Sequence, residues 1–162
     1  MKIICLIFLL AALSFSQEYD RQEIVIDRDT VFTKSFFVSD STTCSIKPGI
    51  TLKFSPRVRF IVKGVVLAEG TPRNPITFTH TGMEKNLLAK SQWKGIEIIG
   101  KMAQGVFRHC VFEHASKNLM WESDPSFDSC TFKYNHYGLY CSKKAQVNIS
   151  GCTFVNNTYG IV

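Results

Sequence analysis

Short segments of alternating apolar and polar residues recur in the second half of the chain. Each copy contains, in order, an apolar residue, two mostly polar residues, a cysteine, a residue that is either Val or Thr, and a phenylalanine. The copies span residues 105–112, 125–132 and 147–154, and their cysteines are 20 and then 22 residues apart. A repeat of this length, built from β-forming residues, is typical of a solenoid whose turns stack on one another.

The segment 47–80 predicts how many strands each turn contains. Strand-like stretches of three to five residues alternate here with short corners such as Lys47-Pro48-Gly49. These strands are too short, and their turns too frequent, for a β-sandwich. The pattern therefore predicts a coil of three short strands per turn. A polar insertion at 81–92 interrupts it, and a long loop of this kind is a usual place for function in a repeat protein.

The N-terminal region differs in pattern from the repeats. Residues 1–16 comprise a basic start, an apolar run and a small-residue cleavage site before Gln17, which predicts a secretory signal peptide. We therefore expect a secreted or cell-surface protein without a transmembrane segment after cleavage. Residues 17–46 are less regular and are interpreted as an N-terminal cap, and residues 47–162 as the repeats.

Identical residues at equivalent repeat positions predict buried ladders. Phe112, Phe132 and Phe154 occupy one such position, and Asn135 and Asn157 occupy a corner position where the amide can bond to a neighbouring turn. Five cysteines remain after signal cleavage, an odd number that disfavours a complete disulfide framework. Their spacings also disfavour zinc. We interpret the repeated cysteines as small apolar ladder residues, and the sequence leaves the redox states of Cys44 and Cys141 open.

The chain resembles the right-handed parallel β-helix repeat proteins of the pectin-lyase-like superfamily, in particular exported bacterial members. The resemblance covers roughly residues 45–162 and rests on four motifs, which are Pro48-Gly-Ile-Thr-Leu-Lys-Phe54, the segment 65–78, Trp93-Lys-Gly-Ile96 and the Cys-x-Phe-x-x-Asn repeats. It implies an all-β, right-handed parallel β-helix of about six coils. Related proteins include polysaccharide lyases, glycoside hydrolases and adhesins, so the fold does not select a function.

Charge and composition narrow the range of partners. The formal net charge is +6, and the basic residues are scattered, with no nucleic-acid motif. An acidic or neutral polysaccharide is the expected partner, rather than nucleic acid. The repeats continue to Val162 without a polar cap, so we expect either further C-terminal coils beyond this sequence or a partner that covers this end.

Three residues are candidates for catalysis. Glycoside hydrolysis needs two carboxylates facing one groove, and Glu113, with His114 beside it, and Asp128 are the candidates for such a groove. Asp128 shares its repeat position with Arg108, so the two can instead form a surface ion pair. The resemblance implies that a lyase would use a basic residue with calcium, but no acidic cluster to hold calcium is evident. No cofactor or metal is expected unless that lyase alternative holds.

Aromatic and basic residues are the candidates for ligand binding. Rows of exposed aromatic rings can stack on sugar rings, and neighbouring lysines can add affinity for anionic glycans. The candidates are Trp93, Trp121, Lys133, Tyr137 and Tyr159, although packing within the ladders is the favoured explanation of the aromatic residues.

Two functions from different classes follow from the sequence. The leading hypothesis is a non-catalytic scaffold or binding module for polysaccharide. The alternative is a polysaccharide lyase or glycoside hydrolase, with its site in later coils or in a groove near Glu113 and Asp128. The sequence determines neither the ligand nor the oligomeric state.

Overall fold

The fold is a solenoid of six three-stranded coils. The structure, a computed structural model, describes residues 21–82, 92–142 and 144–162. Coil 1 contains β1 (Gln22–Ile26), β2 (Thr30–Phe32) and β3 (Phe36–Val38); coil 2 contains β4 (Thr42–Ile46), β5 (Thr51–Phe54) and β6 (Arg59–Val62). Coil 3 contains β7 (Val65–Glu69), β8 (Ile76–His80) and β9 (Gly95–Ile99); coil 4 contains β10 (Gln104–Arg108), β11 (Cys110–Glu113) and β12 (Lys117–Trp121). Coil 5 contains β13 (Ser126–Asp128), β14 (Thr131–Lys133) and β15 (Tyr137–Cys141); coil 6 contains β16 (Asn148–Ser150), β17 (Thr153–Val155) and β18 (Tyr159–Ile161).

Each strand pairs in parallel with the equivalent strand of the next coil. In the described part of the chain, this pairing gives three six-stranded sheets: the first runs β1-β4-β7-β10-β13-β16, the second β2-β5-β8-β11-β14-β17, and the third β3-β6-β9-β12-β15-β18. The three sheets enclose a single apolar core. The all-β solenoid of about six coils is therefore confirmed.

The repeated phenylalanines form the predicted ladder inside the second sheet. Phe78, Phe112, Phe132 and Phe154 are in register on successive strands. Their rings stack nearly parallel, with successive centroids 4.7, 4.8 and 4.8 Å apart. This spacing equals the separation of hydrogen-bonded strands, about 4.8 Å, so each ring packs on its counterpart without distorting the sheet. Burial of each ring contributes roughly 1.5–3 kcal/mol.

The repeated cysteines line the corner between the first and second sheets. Cys110 and Cys130 are buried, and all five cysteines in the described residues are free thiols. The thiol of Cys110 donates a hydrogen bond to the carbonyl oxygen of Ala68 at 3.2 Å. Cys130 and Cys152 donate in the same way to the carbonyl oxygens of Phe107 and Phe127. These two residues follow Ala68 in register on the first sheet. Cysteine therefore fits this corner because it is small and apolar and still satisfies a carbonyl of the preceding coil.

The asparagine ladder lies at the corner between the second and third sheets. The side-chain oxygen of Asn135 accepts the Ala115 N–H at 2.9 Å, and its amide nitrogen donates to the Phe112 carbonyl at 2.9 Å. Asn157 repeats both bonds one coil later, to the N–H of Asn135 and the carbonyl of Phe132. The predicted corner ladder is confirmed, and each amide replaces backbone partners that the turn removes.

The segment predicted as a cap contributes strands to the solenoid. Residues 22–38 form coil 1, and β1 pairs with β4 over five consecutive positions. Its role as a cap stays a prediction. The predicted signal peptide (1–16) and most of the insertion (83–91) lie outside the described residues. Among the residues that are described, no helix has the length and apolarity needed to cross a membrane.

Candidate functional site

Aromatic side chains collect on the outer face of the third sheet in coils 4–6. We call this surface the aromatic face and define it by Lys117, Trp121, Tyr137, Tyr140 and Tyr159. Lys117, Tyr137 and Tyr159 occupy one register position on three successive strands. Trp121 lies at the other end of β12. The structure thus brings together three of the residues predicted to bind ligand, which the sequence separates by up to 38 positions.

An irregularity in β15 places Tyr140 on this face. Lys117 pairs with Tyr137, but Leu119 pairs with Tyr140, so β15 contains one extra residue at this point. Gly138 and Leu139 are consequently both buried, and Tyr140 faces outward beside Leu119. A β-bulge of this kind changes the direction of the side chains that follow it. Strict alternation from Tyr137 would place Tyr140 inside, which is why the sequence did not suggest it.

The tyrosine rings form one continuous cluster. Tyr137 stacks on Tyr159 with centroids 4.9 Å apart and contacts Tyr140 edge-on at 5.6 Å. The Lys117 ammonium lies over the Tyr140 ring, 4.7 Å from its centroid. Trp121 and Tyr159 are each 49% exposed, so part of their apolar surface faces solvent. Exposed apolar surface gathered in one place on a protein marks an interaction site more often than scattered exposed residues do.

The aromatic face opens into a depression at the corner between the third and first sheets. This depression has a volume of about 420 Å³ and is lined by Trp121, Glu122, Tyr140, Cys141, Ser142 and Lys144. The carboxylate of Glu122 pairs with the Lys144 ammonium at 3.0 Å. A second depression of about 210 Å³ shares these two residues and adds Lys101, Asp124 and Gln146. We call the two adjoining depressions the corner groove.

Trp93 is corrected from a candidate ligand residue to a core residue. It is fully buried, and its ring stacks on Phe54 with centroids 4.4 Å apart. Its indole N–H donates to the carbonyl oxygen of Glu113 at 2.9 Å. Both the ring and its polar atom are therefore occupied within the protein, and no ring face is available for a ligand.

Glu113, His114 and Lys133 lie together, but away from the aromatic rings of Trp121 and Tyr140. They occupy the corner between the second and third sheets. Glu113 accepts a hydrogen bond from the Thr79 hydroxyl at 2.8 Å and pairs with Lys133 at 3.1 Å. His114 has a left-handed backbone, with φ of 58°, and stacks on Tyr134. Burial lowers the pKa of His114, although the Glu113 carboxylate opposes that effect.

Asp128 lies on a different sheet from Glu113, at the end of β13 in the first sheet. Arg108 bridges Asp128, at 3.3 Å, and Glu69 of the preceding coil, at 3.1 Å. Asp128 therefore forms the surface ion pair with Arg108 that was the alternative to a catalytic role. Strand β14 separates the corner that holds Asp128 from the corner that holds Glu113, so the two carboxylates do not face one groove. The proposed hydrolase pairing of these residues is corrected accordingly.

The described residues also bear on metal binding. Within 21–82, 92–142 and 144–162, no three His, Cys, Asp or Glu side chains are grouped so that they could hold a metal ion. The expectation about calcium remains tied to the lyase alternative.

Comparison with known proteins gives one match. A family model described as the right-handed beta helix region matches residues 62–162, well over half of the chain. No curated protein and no solved structure matches this chain. The matched residues contain all the strands of coils 3–6, together with the Cys, Phe and Asn ladders. The family match, the parallel pairing of all eighteen described strands and the resemblance of the motifs agree, and the chain belongs to the right-handed β-helix family.

Proposed function

We propose that this protein is a non-catalytic β-helix module that binds polysaccharide on its aromatic face and in the adjoining corner groove. The observation that carries the proposal is the grouping of Trp121, Tyr137, Tyr140 and Tyr159 on one rigid sheet, beside a 420 Å³ depression whose lining combines aromatic rings with polar and charged side chains. Sugar rings present apolar C–H faces and a rim of hydroxyls. An exposed aromatic platform next to hydrogen-bonding groups complements both.

Rigidity favours binding by this surface. Trp121, Tyr137 and Tyr140 lie on strands that are paired on both sides. Tyr159 lies on the last strand of the sheet, and its ring stacks on Tyr137 of the preceding coil. A ligand therefore does not have to order the aromatic side chains when it binds, and that entropy cost is avoided. The placement of the candidate carboxylates favours binding over catalysis, because Glu113 and Asp128 are engaged in ion pairs on separate sheets.

Affinity electrophoresis of the purified protein in gels that contain soluble polysaccharides tests the proposal. We expect at least one polysaccharide to retard the wild-type protein and Trp121→Ala to bind it at least about tenfold more weakly, since truncation of a central aromatic anchor costs about 2 kcal/mol or more. Tyr134→Ala is the matched control, because Tyr134 is 48% exposed but lies at another corner. Two results would contradict the proposal. In one, no polysaccharide of a broad panel retards the wild-type protein; in the other, Trp121→Ala and Tyr134→Ala are retarded equally.

We also propose that the protein is exported, on the basis of the signal-like residues 1–16. Mass spectrometry of the protein recovered from its native source should then find a mature N-terminus at Gln17. Recovery of intracellular protein that retains residues 1–16 would contradict export.

A further inference from the structure

We infer that the corner groove takes an uncharged polysaccharide and recognises it by ring stacking and hydroxyl hydrogen bonds, an inference that rests on the function proposed above. The protein as a whole is basic, with a formal net charge of +6, so its overall charge favours an anionic ligand. The charge of the groove differs from the charge of the protein as a whole, and the inference rests on the residues that line the groove.

The charges of the described residues that line the groove balance. Among its described lining residues, Lys101 and Lys144 are matched by Glu122 and Asp124. Lys144 and Glu122 form an ion pair at 3.0 Å, where the two depressions meet. A ligand carboxylate at this point would compete with Glu122 for Lys144 and would leave two protein carboxylates close to a third negative charge. Like-charge contacts of this kind oppose binding.

The remaining groups of the groove suit hydroxyls. Ser142 accepts a hydrogen bond from the Glu122 N–H at 3.3 Å, which leaves its hydroxyl hydrogen available to donate. Asp124 is exposed and uses one carboxylate oxygen to accept the Gln146 N–H at 3.2 Å. The other oxygen is a further acceptor. Carboxylates accept hydrogen bonds from sugar hydroxyls, and amide and hydroxyl groups can both donate to them and accept from them, without requiring a charge on the ligand.

The lysine of the aromatic face is already engaged with an aromatic ring. Lys117 holds its ammonium over the Tyr140 ring at 4.7 Å, in a cation–π contact. The wall shared with the aromatic face is formed by Trp121 and Tyr140. The ligand surface expected against this wall is the apolar face of a neutral sugar ring.

Matched polysaccharide pairs test the inference with the full chain. Three pairs differ chiefly in charge: polygalacturonate and its fully methyl-esterified form, alginate and its propylene glycol ester, and carboxymethyl cellulose and hydroxyethyl cellulose. We expect the uncharged member of a pair to bind at least about tenfold more tightly, because like-charge contact disfavours the acid. We also expect little change in that affinity between about 50 and about 500 mM NaCl, because an uncharged ligand has no charge for salt to screen.

The outcomes separate this inference from the proposed function. Tighter binding of the carboxylated member, or equal binding of both, overturns the inference but leaves polysaccharide binding in place. Failure of every polysaccharide in this set and in the wider panel overturns the proposed function and, with it, the inference.

Charge variants give a second readout. The double variant Glu122→Gln and Asp124→Asn should strengthen binding of the carboxylated polymers several-fold and make it sensitive to salt, because Lys101 and Lys144 then lose their compensating charges. Asp128→Asn and Glu69→Gln together are the matched control, since they remove the same charge on the first sheet, away from the groove. Equal effects of the two double variants would show that net charge, and not the groove, controls selectivity, and would overturn the inference.

Discussion

At the scale of single residues, buried polar side chains connect each coil to the next. Asn135 forms hydrogen bonds with Ala115 and Phe112 of the preceding coil and with Asn157 of the following coil. These bonds satisfy backbone groups that the corner would otherwise leave buried without partners. They hold the corner at which the second sheet passes into the third.

Replacing Asn135 by alanine should therefore destabilise the protein strongly. The variant leaves the Ala115 N–H and the Phe112 carbonyl without partners, and each such group costs about 1–3 kcal/mol. We expect the free energy of unfolding, measured by urea titration, to fall by about 2–4 kcal/mol. Asn148→Ala, at an exposed strand position, should change it by less than about 0.5 kcal/mol. Similar losses in both variants would contradict the role given to the ladder.

Cys44 should make stability depend on pH. It is fully buried, and burial raises the pKa of its thiol to about 11 from the ordinary value of 9.0. The unfolded chain ionises first as the pH rises, so the stabilising contribution is complete below pH 9 and is lost towards pH 11.

The comparison with Cys44→Ala isolates this effect from other groups that titrate in the same range. The difference in unfolding free energy between wild type and variant should shrink by about 2–3 kcal/mol between these pH values. A difference that stays constant across the range would show that the thiol does not ionise differently in the two states.

Residue-level prediction from sequence was reliable where a residue repeats and poor where it does not. Asn135 and Asn157 share a position in two coils, and their ladder was predicted. Trp93 occurs once, and its hydrogen bond goes to the carbonyl of Glu113, twenty positions away. Nothing local in the sequence distinguishes such a buried indole from an exposed one.

At the scale of elements, the corners between strands control how closely the coils approach. Gly64 lies between β6 and β7. A Cβ atom built on it would lie 2.1 Å from the carbonyl oxygen of Ser39 and 2.3 Å from that of Thr42. Both contacts are with backbone atoms of the preceding coil, which cannot move aside as a flexible side chain can.

Gly64→Ala should accordingly be one of the most damaging single-methyl additions in the chain. We expect a loss of about 3 kcal/mol or more in unfolding free energy, the upper range for overpacking. Gly160→Ala is the control, because the nearest atom to its added Cβ is 3.8 Å away, and we expect it to cost less than about 1 kcal/mol. Thermal denaturation followed by circular dichroism compares the two; equal melting temperatures would contradict the close approach of the coils.

Element-level prediction failed where a strand departs from alternation. The residues Gly138-Leu-Tyr-Cys141 lie in β15, which pairs with β12 as the repeat requires. The bulge in β15 nevertheless reverses the side-chain directions after Tyr137, and so places Tyr140 outside. The extra residue shows only in the pairing of β15 with β12, which the sequence of one strand does not reveal.

At the scale of the whole molecule, the repeat predicts the architecture but leaves the site unassigned. The regular cysteine-bearing coils sufficed to predict the solenoid, and the first coil, at 22–38, joined it without carrying that signature. The aromatic face draws on three coils, and the corner groove draws on coils 4 and 5 and on the corners on either side of them. Both surfaces depend on the register between coils. A binding surface assembled in this way becomes visible only when the coils are stacked.

The central claim is that a polysaccharide occupies the aromatic face and the corner groove. Backbone amide chemical shifts of the isotope-labelled protein, measured while an oligosaccharide from the best-binding polymer is added, test it most directly. The account predicts that shift changes concentrate in β12, β15 and residues 122–124 and 144–146, with the Trp121 indole N–H among the largest. Changes confined to the corner that holds Glu113 and Lys133, or spread evenly over the three sheets, would contradict it.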